Sequence, residues 1–94
     1  MKFEWDIEKA CRNKEKHNIE FDEAKTVFND NLAYIFDDNW NSVGENRELI
    51  IGLSDKKRLL IVSFTERNNG VIRIISARLT TNKERKDYEQ QRRY

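Results

Sequence analysis

The stretch Leu59-Leu60-Ile61-Val62-Ser63-Phe64-Thr65-Glu66-Arg67, Asn68-Asn69-Gly70, Val71-Ile72-Arg73-Ile74-Ile75-Ser76-Ala77-Arg78-Leu79 decides the fold. Two runs rich in β-branched and aromatic residues flank an Asn-Gly pair, the strongest short-range hairpin signal, because a type I′ turn needs positive φ at both central positions. A two-residue Asn69-Gly70 loop sets Glu66 opposite Arg73, Ser63 opposite Ser76 and Ile61 opposite Arg78. A three-residue loop, Asn68 to Gly70, instead pairs Thr65 with Arg73. The first register is preferred because a buried apolar face fixes register. It gathers Leu60, Val62, Phe64, Glu66, Arg73, Ile75 and Ala77 on one face, and Ser63, Thr65, Arg67, Ser76 and Arg78, among Ile61, Ile72 and Ile74, on the other.

Outward from the hairpin, Phe3-Glu4-Trp5 alternates like an edge strand, and Asp6 predicts an N-cap for a helix over 7–16 with Ile7, Ala10 and Cys11 on its buried face. Asn18 suits the left-handed turn that ends it. A second helix is predicted over 21–29, weakly capped by Glu20, with Phe21, Ala24, Val27 and Phe28 inward. Strands follow over 32–36 and 47–53, separated by a polar loop, 37–46, that contains Trp40. A last helix over 82–92 is opened by the capping box Thr81/Glu84 and has only Tyr88 to bury. The order βααββββα, with consecutive strands joined by short turns, predicts an α+β fold with helices packed on an antiparallel sheet.

Ninety-four residues support a single domain, 1–94, with a modest core. No apolar run approaches membrane-spanning length, and the acidic start is unlike a signal peptide, so a cytoplasmic protein is expected. One cysteine excludes an internal disulfide, and one histidine with one cysteine cannot build a structural zinc site. Cys11 is expected as a small buried apolar residue. Asp37, Asp38 and Glu45 read as solvated loop acids rather than a metal site. Charge is polarised: residues 1–46 carry about −5 and residues 47–94 about +6. A basic half suggests an anionic partner such as a nucleic acid, unless the two halves interleave in space and cancel. Acids in the first turn of the second helix argue against a helix-turn-helix that reads DNA.

The candidate anion site is Arg67 and Arg78, with Arg47, near Ser63, Thr65 and Ser76, since a guanidinium fork matches phosphate oxygens. Cleaving RNA without a metal needs a proton acceptor at the 2′-hydroxyl, a donor at the 5′-oxygen and cations for the phosphorane. Glu66 and His17 are the candidates for proton transfer, His17 being the one imidazole in the chain. Arg85, Tyr88 and Arg92 share a helix face that could grip phosphates and stack a base. The competing reading pairs these arginines with carboxylates of the acidic half and leaves His17 as a helix-end dipole partner.

The set Phe3-Glu4-Trp5-Asp6, Asn13 with Lys16-His17, Phe21-Asp22-Glu23-Ala24, Gly44-Glu45-Asn46-Arg47, Thr65-Glu66-Arg67, Ile72 to Arg78, and Glu84-Arg85 with Tyr88 resembles, in that order, the BrnT family of type II toxins. The resemblance implies a RelE-like antiparallel sheet with two N-terminal helices and a C-terminal helix, and RNA cleavage without a bound cofactor. It implies neutralisation by a cognate BrnA-like ribbon-helix-helix antitoxin, and contact with promoter DNA only through that antitoxin. Carried over by position, it points to Lys16, His17, Arg47, Glu66, Arg67 and Arg78 as the active-site set without assigning roles; taken with the residues themselves, His17, Glu66, Arg67 and Arg78 are expected to be catalytic, and Lys16, Arg47, Thr65, Arg73, Ser76, Arg85 and Tyr88 to contact RNA. A non-catalytic adaptor, or a degenerate toxin that binds without cutting, is the alternative.

Overall fold

The computed structural model describes residues 1–39 and 44–91; Trp40 and the predicted helix end at Arg92 lie outside them. The elements are β1 (Lys2–Glu4), α1 (Ile7–His17), α2 (Phe21–Ala24) continued by a 3-10 helix (Lys25–Asn29), β2 (Tyr34–Asp37), β3 (Glu48–Leu53), β4 (Leu59–Glu66), β5 (Val71–Leu79) and α3 (Asn82–Gln91). The α+β class stands, and two details differ from the expected order. The second helix tightens into 3-10 geometry after one turn. The sheet, β1-β5-β4-β3-β2, is mixed rather than antiparallel, because β1 returns parallel to β5. Three residues of alternation carry no information about strand direction.

The central hairpin contains both candidate registers. At the far end Ser63 faces Ser76 and Ile61 faces Arg78, as the two-residue turn requires; at the near end Thr65 faces Arg73 and Glu66 faces Ile72, as the three-residue turn requires. A β-bulge between them makes Ile75 the extra residue. At the turn, the Arg67 N–H donates to the Val71 carbonyl (2.8 Å) and Gly70 takes φ +73°, a left-handed conformation open to glycine at no steric cost.

The bulge reassigns the faces. Leu60, Val62 and Phe64 join Ile72, Ile74 and Ala77 beneath Ile19, Phe21, Ala24 and Val27 of the helical layer. Arg73 therefore moves to the face of Thr65, Ser76 and Arg78. The opposite core is smaller: Ile51, Leu59 and Ile61 under Tyr88 of α3. Gly52 in β3 admits the 3-10 segment closely, since a β-carbon there would lie 2.9 Å from Val27 Cγ1.

α1 begins as expected, with Asp6 Oδ1 accepting from the Glu8 N–H (2.8 Å) and Lys9 N–H (3.2 Å), and ends at Asn18 with φ 56°. Its buried face is not the expected one. Ile7 is 76% exposed and Cys11 is exposed, while Asn13 is buried. The helix meets β5 through Ala10, Asn13 and His17, because the strand edge needs a polar partner there more than an apolar one.

A second polar group lies deeper. Glu23, 4% exposed, accepts from Ser54 Oγ (2.6 Å) and Arg58 Nε (2.9 Å) and pairs at its other oxygen with Arg58 Nη2. Arg58 Nη2 also reaches the Asn18 carbonyl (3.3 Å), so one guanidinium joins α1, α2 and β4. Hydrogen bonding to Arg58 holds the Glu23 carboxyl below the usual carboxylate range.

Candidate active site

β1 covers β5 only along Val71–Arg73, so among the described residues the outer edge of β5 from Ile74 onward has no strand partner. α1 closes it with one amide. Asn13 Oδ1 accepts from the Ala77 N–H (3.0 Å), and Nδ2 donates to the Ile19 carbonyl (2.9 Å), which satisfies a buried side chain in both directions. Beside this anchor, Lys9, Arg12, Lys16 and His17 of α1 face Ile75 and Ser76 of β5 across a shallow hollow of about 270 Å³.

Local structure explains why the cations gather there. Lys9, Arg12 and Lys16 follow one another at spacings of three and four, so they stack on one helix face with Asn13 at its edge. His17 closes the last turn, where positive charge complements the carbonyl end of the helix. Arg12 meets Glu8 at 3.5 Å, but both side chains are at least three-quarters exposed, and such a pair contributes little. Among the described residues no carboxylate lines the hollow, which suits an anion.

The sheet face behind it carries further arginines in separate ion pairs. Arg73 donates to Glu4 Oε2 (2.8 Å), and Arg67 Nε reaches the same oxygen at 3.3 Å; the hydrogen bond from Arg73 keeps the Glu4 carboxyl below its ordinary value. Arg78, roughly 15 Å along β5 at about 3.3 Å per residue, donates through Nη1 and Nη2 to the two oxygens of Glu84 (2.8 and 2.9 Å). Glu84 also accepts from the Thr81 N–H (2.8 Å) while Thr81 Oγ1 accepts from the Glu84 N–H (3.2 Å), so the expected capping box and the arginine share one carboxylate. That bidentate contact raises the Arg78 pKa and lowers that of Glu84.

The expected convergence of Arg47, Arg67 and Arg78 in one hollow is thus not what the fold produces. Arg47 pairs with Glu45 (3.3 Å) and lines another depression with Asp37, Asn39, Asn46 and Glu48. Thr65 is buried, its hydroxyl donating to the Asn46 carbonyl (2.8 Å). Glu66 is exposed and follows Val62 and Phe64 on the helical side of the sheet. Arg85 is exposed on α3. Tyr88 is corrected from a base-stacking residue to a core one: it is 2% exposed, and its hydroxyl donates to Asp30 Oδ2 (2.7 Å). Lys16, His17 and Ser76 do come together, as do Arg67 and Arg73. Lys9 and Arg12 were not singled out in the sequence, although their spacing from Lys16 on a predicted helix was a usable signal. Among the described residues no group of three or more His, Cys, Asp or Glu side chains could hold a metal ion.

A family model described as "Ribonuclease toxin, BrnT, of type II toxin-antitoxin system" matches residues 5–84. The fold is similar to that of the Brucella abortus ribonuclease toxin, BrnT, whose crystal structure aligns with a TM-score of 0.67 at 23% sequence identity, over 87% of this chain and 99% of that one. No curated protein sequence matches the chain.

Proposed function

Since the chain belongs to the BrnT family of ribonuclease toxins of type II toxin-antitoxin systems, we propose that it is a single-domain, cytoplasmic endoribonuclease that cuts RNA without a metal ion and is neutralised by a ribbon-helix-helix antitoxin, the complex of the two repressing its own promoter. The observation that carries the catalytic part is the hollow where His17, Lys16 and Ser76 meet, edged by Lys9 and Arg12 and free of carboxylates.

In this reading the RNA backbone lies along the cationic face of α1. His17 takes the proton from a ribose 2′-hydroxyl. The 2′-oxygen attacks phosphorus, the bond to the 5′-oxygen breaks, and that oxygen takes a proton from water while His17 gives its proton back to solvent, leaving a 2′,3′-cyclic phosphate and a 5′-hydroxyl. Lys and Arg side chains carry the charge work that a divalent ion would otherwise do. Arg67, Arg73 and Arg78 serve the phosphates by exchanging Glu4 and Glu84 for them, Ser76 donates from the strand, and Arg47 and Arg85 extend the track. Glu66, exposed at the hairpin end, is the second candidate for proton transfer.

The test is incubation of the purified chain with RNA in excess chelator. Defined cuts ending in cyclic phosphate and 5′-hydroxyl are expected. RNA bound but left whole would favour the adaptor reading, and cleavage that needs added magnesium would overturn the metal-free chemistry. Replacing Lys9 and Arg12 together by glutamine is expected to flatten the dependence of log affinity on log salt by about 1.4, at roughly 0.7 for each phosphate of single-stranded RNA that is no longer neutralised. Fluorescence anisotropy with a 2′-O-methyl oligonucleotide measures this separately from cleavage.

A further inference from the structure

α1 separates two hollows of opposite character. On the side away from Lys9, Arg12 and Lys16, Ile7, Ala10 and Cys11 border a depression of about 300 Å³ against Trp5 and Phe21. Its floor is aromatic: the Trp5 and Phe21 rings meet edge to face with centroids 5.9 Å apart. This is the helix face whose periodicity predicts burial, yet Ile7 is 76% exposed and Cys11 is exposed.

The rim is acidic. Glu20 and Asp22, at the start of α2, border the depression; Asp22 meets Lys25 at 3.5 Å, an exposed pair that contributes little. Its one bordering lysine, Lys14, already meets Glu20 at 3.4 Å. RNA is repelled by such a rim, whereas a basic segment of protein is attracted to it. Protein-binding hot spots concentrate where large side chains such as tryptophan meet in a pocket whose rim excludes water.

We propose that this depression is the docking site of the antitoxin, which seats an apolar side chain over Trp5 and Phe21 and sets lysine or arginine against Glu20 and Asp22. The inference rests on the antitoxin-neutralised reading above. It also accounts for the acidic first half of a chain that handles an anionic substrate. A helix is about 10–12 Å across, so a partner gripping this side of α1 stands directly beside the cationic hollow on the other.

Cys11, the only cysteine in the sequence, reports on the site without mutation. Its alkylation by a maleimide is followed in the full chain, alone and with the purified antitoxin encoded beside it; protection by the antitoxin is expected. Cys11→Arg, on an exposed helix face, is expected to weaken antitoxin binding about 30-fold, the effect of disrupting a hot spot, with RNA cleavage unchanged. An antitoxin that binds the wild-type chain while Cys11 reacts at its free rate overturns the docking site and leaves the nuclease reading intact. Protection that appears at high concentration of the chain alone assigns the surface to self-association and likewise overturns it. If the antitoxin does not bind the wild-type chain at all, the parent reading falls with it.

Discussion

Replacing His17 by alanine is expected to lower RNA cleavage by about 10²–10⁴-fold, the usual contribution of a positioned proton-transfer group. RNA affinity should change far less, because Lys9, Arg12 and Lys16 remain on the same helix face. The fold should tolerate the change: α1 is anchored by Asn13 on Ala77 and Ile19, and its end is set by Asn18 in the left-handed conformation. A histidine that serves only as a helix-end partner gives a different outcome. Its loss would lower stability by about 0.3–1 kcal/mol and leave the cleavage rate intact. Single-turnover cleavage of labelled RNA, beside a thermal melt, separates the two. Cleavage within threefold of wild type would return the proton-transfer role to Glu66.

The largest effect on stability is expected at Glu23. Removing one member of a buried ion pair costs about 3–5 kcal/mol when both are fully enclosed. Here the Glu23 side chain is 2% exposed and that of Arg58 31%, so water recovers part of the loss for the arginine. Glu23→Ala should therefore cost about 2–4 kcal/mol, measured by urea denaturation at neutral pH. The pH dependence has a fixed sign. The Glu23 carboxyl is held below its unfolded value, chiefly by the Arg58 hydrogen bond. Its contribution is complete above the unfolded value of about 4.3 and is lost as pH falls through the lower folded one. Glu84, lowered mainly by Arg78, behaves in the same sense. Wild type should lose stability on acidification below about pH 4.3, and Glu23→Ala should lose less over that interval. An equal loss in both would take the acid sensitivity away from this pair.

Features that depend on neighbours in the chain were readable in advance. The Asp6 cap, the Asn18 terminus and the Thr81/Glu84 box each need only residues within one turn, and all three are present. The hairpin was readable as a hairpin, but its register was not. The bulge at Ile75 lets one end obey each turn length, and nothing local to Ile74-Ile75-Ser76 marks the slip. It bears on the site, because it sets Arg73 opposite Thr65, on the sheet face that also carries Ser76 and Arg78. The buried face of α1 was misread for a related reason. Periodicity counts apolar residues, and the strand edge it meets calls for the amide of Asn13. Long-range pairs such as Glu4 with Arg73 or Glu23 with Arg58 leave no local trace at separations of 69 and 35 residues. The alternative pairing of arginines with acids of the first half proves true for Arg47, Arg67 and Arg73, but not for Arg78.

Arg78 stands apart because its carboxylate partner also organises the first turn of α3. A phosphate that takes over this guanidinium removes the tie between strand and helix at the moment it binds, leaving Tyr88 and Asp30 to hold the helix farther along. If Arg78 takes an RNA phosphate as proposed, substrate and helix compete for one cation, and linkage makes the competition reciprocal. Whatever clamps α3 against the sheet would then weaken RNA binding by the same factor that RNA loosens α3. On that reading the C-terminal helix acts as a rheostat, set by the single carboxylate that Arg78 and the first turn of α3 share.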